Sequence, residues 1–281
     1  LSECLFDNKE QINSDVSAYT KAVEETETIF DGVPDEGSQE HAWCWQKNGF
    51  SLYRYRADSP EALIGIAAQC DVLVVINPNN PTGQRFDRKT LLACHHALQA
   101  KSGWLVVDEA FIDAFTTDEQ QELSVSDAAC DSLIVLRSVG KFFGLAGIRS
   151  GFVLAGSGVI DQIKVATGPW PISGVTAWLT EKMLVDQSWQ QATRNQLTYQ
   201  QQRLSAIMRQ ALPDYKDWGQ TPLFISAVVP EAGDDRVRQL QEALAAEGIW
   251  IRVFPETGRI RLGLVAGDAE LKQLQTALMN L

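Results

Sequence analysis

A chain of 281 residues with 45% hydrophobic content is long enough to bury one or two cores, and its net charge of −12 argues against a nucleic-acid or anionic-membrane surface. No apolar run approaches the roughly 20 residues that a bilayer span needs, and the N-terminus shows no basic segment followed by an apolar one. The five cysteines (Cys4, Cys44, Cys70, Cys94, Cys130) are scattered without metal-ligand spacing, which predicts a reducing, cytoplasmic setting and no bound metal.

Residues 1–38 are polar and acidic and lack a strong period, so no element is predicted there. From Pro60 the pattern becomes regular. Residues 60–69 read as a helix, 71–76 (DVLVVI) as a buried strand, 87–100 as a helix, and 104–110 (WLVVDEA) as an apolar run ending in carboxylates. Two more apolar runs follow at 132–137 and 151–156. Strands that are apolar throughout and alternate with helices predict an α/β fold with a mostly parallel sheet covered on both faces. Each run is followed by polar, charged or glycine residues, at the sheet edge where such folds bind ligands. A helix-compatible stretch runs from Pro171 to Leu212 and ends at Pro213. Beyond it come strands at 222–229, 250–254 and 259–265, a helix at 234–247, and a closing helix with Asp268 as its N-cap. This last part predicts a smaller α+β domain.

Four segments carry chemistry. Asn77-Pro78-Asn79-Asn80-Pro81-Thr82-Gly83 is a rigid turn after a strand, able to fix asparagine side chains as hydrogen-bond donors. Asp108 and Glu109 close the next strand; a buried carboxylate there needs a partner to stay charged, and a protonated pyridine nitrogen would serve. Ser138-Val139-Gly140-Lys141 sets a lysine among apolar and glycine residues, where desolvation would favour the neutral amine that condenses with an aldehyde. Ser138 and Arg149 add a hydroxyl and a permanent cation suited to a phosphate. Arg252, Arg259 and Arg261 lie on a strand pair, with Arg259 and Arg261 on one face, and a guanidinium fork suits a carboxylate or phosphate. Taken singly, the segments also read as a well-made loop, a helix cap or solvated carboxylate, a chance lysine in a glycine-rich loop, and surface arginines on an edge strand.

Together, in order, the Asn-Pro-x-Asn-Pro-Thr-Gly turn, Asp-Glu-Ala, and Ser-x-x-Lys with an arginine eight positions on resemble the fold-type-I pyridoxal-5'-phosphate (PLP) aminotransferases. Histidinol-phosphate aminotransferases and the threonine-phosphate decarboxylases of cobalamin biosynthesis are the nearest groups. The segments 106–115, 136–156 and 166–184, with Gly168-Pro169-Trp170-x-x-Ser-Gly and with Phe111 where the aminotransferases usually carry Tyr, resemble the decarboxylases more. The resemblance covers residues 40–281. It implies that Lys141 joins the cofactor aldehyde, Asp108 pairs with the pyridine nitrogen, Asn80 bonds O3', and Ser138 and Arg149 bind the cofactor phosphate. Arg261, or Arg259 in a competing register, would hold the substrate carboxylate, and Arg252 the substrate phosphate.

It further implies a PLP-binding domain over 1–204, a small C-terminal domain over 205–281, a homodimer, and a small phosphorylated amino acid as substrate. The expected reaction is decarboxylation of threonine phosphate. Transamination of histidinol phosphate or a similar amine, and a non-catalytic PLP-fold protein, are the alternatives. One departure stands out. Gly37-Ser38-Gln39 resembles the family's phosphate cup but runs straight into Glu40-His41-Ala42-Trp43, which resembles the element after the ring-stacking aromatic. Either the sequence omits intervening segments or the deletion is real; the first is favoured, because losing a central helix and strand would expose core surface.

Overall fold

The computed structural model describes residues 27–31, 36–230, 234–265 and 267–280. They form two compact units. The first takes the described residues up to Pro78 together with Arg85–Val185, and the second takes Asn79–Gln84 together with those from Asp186 onward.

The first unit is a six-stranded sheet of β1 (Glu27–Asp31), β2 (Ser51–Tyr55), β3 (Val72–Ile76), β4 (Trp104–Asp108), β5 (Leu133–Ser138) and β6 (Gly151–Leu154), in the order β2-β1-β3-β4-β5-β6. All neighbours are parallel except β6, which runs antiparallel to β5. Its helices are α1 (Glu36–Lys47), α2 (Pro60–Ala67), α3 (Arg88–Gln99), α4 (Thr117–Leu123), α5 (Ser157–Thr167) and α6 (Gly174–Val185).

Why β3 is apolar throughout follows from its two covered faces. Leu73 and Val75 pack with Leu63 of α2, Leu91 and Leu98 of α3, and Leu105 and Val107 of β4. Val72, Val74 and Val106 face the other way, against Trp45 and Leu52. Each buried aliphatic side chain contributes about 1.5–3 kcal/mol, so this strand cannot slip register without losing both layers. The helix starts are fixed locally: Ser59 accepts from the Ala62 N–H at 3.2 Å, and Asp87 from Thr90 at 2.8 Å.

The second unit is an antiparallel sheet of β7 (Lys216–Thr221), β8 (Phe224–Val228), β9 (Arg252–Phe254) and β10 (Arg259–Gly263), in the order β7-β8-β10-β9. Helices α7 (Gln187–Ala211), α8 (Asp234–Ala246) and α9 (Asp268–Met279) supply Leu204, Met208, Val237, Leu244 and Leu274 to a core shared with Ile225 and Ile260.

Four expectations need correction. The helical stretch up to Leu212 is two helices, because the Asp186 carboxylate accepts the Trp189 N–H at 3.0 Å and starts a new one. The division between units accordingly falls at 185/186, ahead of 204/205, since α7 buries Leu204 and Met208 in the second core. Asp268 is the first residue of α9 and not its cap, a place taken by Gly267; its carboxylate meets Arg203 instead. Finally, residues 27–31 and 36–38 are not structureless. β1 fills the slot between β2 and β3, and the backbone of Gly37-Ser38-Gln39 is the first turn of α1. The side chains of that expected phosphate cup lie outside the described residues. Among the described residues no helix is long and apolar enough to cross a membrane.

Candidate active site

In the first unit, the carboxyl ends of β4 and β5 bring one group of residues together. Asp108 is the last residue of β4, and its side chain is pinned on both oxygens. Oδ1 accepts the Ala110 N–H at 2.9 Å, and Oδ2 lies 3.0 Å from His41 Nε2. Burial works to raise the pKa of this carboxyl. The His41 hydrogen bond and charge, the Ala110 N–H and the Lys141 charge outweigh it and hold the group below its ordinary value. An ionised carboxylate therefore stands at the sheet edge, as a protonated ring nitrogen requires.

Glu109, next along, points the other way. Its carboxyl is fully buried, accepting Ser124 Oγ–H at 2.7 Å and the Val125 N–H at 2.8 Å, with Arg137 at 3.3 Å. Burial nonetheless pushes its pKa up. Arg137, on β5, also meets Asp113, so the ends of the two strands are tied.

Lys141 follows β5 in a glycine-rich turn, its Nζ 5.4 Å from the centre of the Phe111 ring. The desolvation expected from sequence is not found: Lys141 is exposed, because Gly140 and Gly144 offer no side chains to cover it. Ser138 Oγ accepts the Gly140 N–H at 3.1 Å, which shapes the same turn. Arg149 is exposed and sits in the left-handed region, with φ 50° and ψ 51°.

The second unit gathers the other residues. Of the three asparagines in the turn after β3, two hold backbone. Asn77, in the first unit, exchanges hydrogen bonds with Phe86 N and O at 2.8 and 3.0 Å. Asn79 Oδ1 accepts the Thr82 N–H at 3.3 Å and the Thr82 hydroxyl at 2.9 Å. Asn80 instead meets the guanidinium of Arg261. The turn is seated on β7: a Cβ at Gly219 would lie 1.5 Å from the Thr82 carbonyl oxygen, so only glycine fits. Arg261 pairs in register with Arg252, so both side chains leave the same sheet face. Arg261 lies 5.5 Å from the Phe224 ring and Arg252 5.9 Å from Phe254. Arg259 is buried, with Nη1 donating to the Asp217 carbonyl at 2.9 Å and to Ser226 Oγ at 3.2 Å.

Sequence reasoning missed His41 as the partner of Asp108. The two are 67 positions apart, and only the parallel sheet brings them together.

The residues present fit a pyridoxal phosphate group. Asp108 is ionised, Lys141 supplies an amine nearby, and Ser138 and Arg149 offer a hydroxyl and a cation. The chain is 37% identical over 252 residues to the threonine-phosphate decarboxylase of Pseudomonas aeruginosa, covering 89% of this chain and 71% of that protein. It is 33% identical to the threonine-phosphate decarboxylase of Sinorhizobium sp, covering 86% and 68%. Its fold matches that of Sinorhizobium meliloti histidinol-phosphate aminotransferase in complex with pyridoxal-5'-phosphate, with a TM-score of 0.75 at 22% identity, over 91% of this chain and 70% of that one. The fold is that of the type I PLP transferases. Residues 33–278 match the model of the aminotransferase class I and II family, and the chain belongs to that family.

Proposed function

We propose that this protein decarboxylates L-threonine O-3-phosphate to (R)-1-amino-2-propanol O-2-phosphate with PLP as its cofactor. The observation that carries the reading is the ionised Asp108 beside Lys141, in a chain 37% identical to a threonine-phosphate decarboxylase.

Bound PLP supplies a conjugated electron sink for the pair left behind when a bond at Cα breaks. Asp108, kept charged by His41, would pair with the ring nitrogen and keep it protonated. By the family resemblance, Ser138 and Arg149 would hold the cofactor phosphate and Asn80 would donate to the ring oxygen. Lys141 would supply the amine that holds the cofactor aldehyde and, as the nearby acid, the proton delivered to the substrate Cα. By the family resemblance, Arg261 would take the substrate carboxylate. Arg252, its cross-strand neighbour, takes the substrate phosphate. Arg259, with its guanidinium held by Asp217 and Ser226, supports the strand instead.

The protein acts as a homodimer in the cytoplasm. Support for the dimer comes from apolar side chains in and before α6 that point to solvent, with Trp170 88%, Val175 77% and Trp178 60% exposed.

The test is direct. Protein loaded with PLP is given threonine phosphate, and CO2 is measured. Release of CO2 supports the reading. Full loading without CO2 overturns it, and accumulation of the pyridoxamine form would point to transamination of the substrate.

A further inference from the structure

Arg149 is a non-glycine residue in the left-handed region, at φ 50° and ψ 51°. A Cβ disfavours that conformation, and it persists only where the surroundings enforce it. Its own N–H bond, to the Ala146 carbonyl at 3.3 Å, closes a single turn and cannot do this alone.

Two contacts from α6 bracket this residue. Thr176 Oγ1 donates to the Ile148 carbonyl at 3.4 Å, and Thr180 Oγ1 donates to Ser150 Oγ at 3.3 Å. These are the residues immediately before and after Arg149. Rotation about φ would move the Ile148 peptide, and rotation about ψ the one leading to Ser150. The Thr176 hydroxyl holds the Ile148 peptide directly, and the Thr180 hydroxyl, one helical turn on, holds the Ser150 side chain and through it the residue that follows Arg149. The Thr176 hydroxyl is itself oriented, accepting from Ser173 Oγ at 3.0 Å.

Within the chain, this helix turns its hydroxyl residues inward. It buries Thr176 and Thr180, at 9% and 5% exposure, while Val175 and Trp178 face outward. Burying threonine in place of a larger apolar side chain is favourable only if its hydroxyl finds a partner. We propose that Thr176 and Thr180 are positioning residues that clamp Arg149 in its left-handed conformation, and so set the geometry of the phosphate-binding site. The proposal rests on the reading of Arg149 as a ligand of the cofactor phosphate.

The test compares two probes that differ only in the phosphate. Apoprotein is titrated with PLP and with pyridoxal, and affinity is followed by tryptophan fluorescence. In the variant carrying Thr176→Val and Thr180→Val, the Kd for PLP rises roughly tenfold, the worth of one good hydrogen bond, while that for pyridoxal is unchanged. Thr176→Ser with Thr180→Ser restores the PLP value, since serine keeps the hydroxyl. The single valine variants give smaller shifts in the same direction and serve if the double variant does not fold. An unchanged PLP-to-pyridoxal ratio, or a parallel loss of both affinities with a fall in Tm, overturns the clamp. If the wild-type protein itself binds pyridoxal as tightly as PLP, the phosphate reading of Arg149 fails, and the clamp with it.

Discussion

Arg137 reaches across from β5 to the fully buried carboxyl of Glu109, the residue that follows the neighbouring strand β4, 3.3 Å away. Burial already pushes the Glu109 pKa up, and the guanidinium is one of the groups that restrain it. Arg137→Met removes that restraint. A half-broken buried ion pair typically costs about 3–5 kcal/mol, and here the carboxyl escapes part of that by taking up a proton. A carboxyl with a raised folded pKa favours folding below its unfolded value and loses that contribution as pH rises through the folded one. Urea denaturation of Arg137→Met at pH 5.5 and 8 should therefore show the larger loss at pH 8. Glu109→Gln in the same background should remove the pH dependence.

Asp108 behaves in the opposite sense. Its folded pKa is depressed, so it contributes stability above the ordinary aspartate range that is lost as pH falls through the folded value. His41→Phe removes its principal partner. The Tm of the apoprotein should drop at neutral pH, and the gap from wild type should close as the solution is acidified below about pH 4, where unfolded aspartates protonate. A gap that is constant with pH would mean that His41 only packs.

Arg259 and Arg261 separate cleanly by experiment. Arg261→Lys leaves the fold intact, because the side chain is partly exposed, but loses the bidentate fork. KM for threonine phosphate should rise about tenfold or more, with little change in Tm. Arg259→Leu should do the reverse. It leaves the Asp217 carbonyl and Ser226 hydroxyl without their donor, at a cost of about 1–3 kcal/mol, and should lower Tm with KM nearly unchanged.

The thiols should sort by burial. Burial raises the Cys70 pKa to about 11 and the Cys94 pKa to about 12, and both are packed in the first core. Cys130 is partly exposed. Iodoacetamide at pH 8 should label Cys130 well before Cys70 or Cys94, which become reactive only on unfolding. Peptide mapping by mass spectrometry reads the order.

The first unit was legible in sequence where strands were buried on both faces. VLVVI and WLVVD announce themselves, and the residues that end them are the site residues. β1 was not legible, because ETIFD carries acidic ends and its central position depends on pairing with Ser51–Tyr55 and Val72–Ile76. β7 was hidden for a similar reason: KDWGQT is polar, with a register shift between Lys216 and Gly219. Local pattern also could not separate Arg259 from Arg261. They share a face, and only the partners Asp217 and Ser226 distinguish them. Thr176 and Thr180 left a negative signal, a helix whose apolar residues follow no inward-facing period.

Six residues, Asn79–Gln84, belong with the second unit, although the chain on both sides of them belongs to the first. That unit is therefore not a contiguous stretch of the gene. A fragment starting at Asp186 would carry Gly219 without the Thr82 carbonyl that occupies the space beside it, and Arg261 without Asn80. Swapping the C-terminal part between relatives would join a β7 edge from one parent to a turn from the other. Such chimaeras should work only when the turn travels with the C-terminal part, or when both parents keep glycine at the position of Gly219.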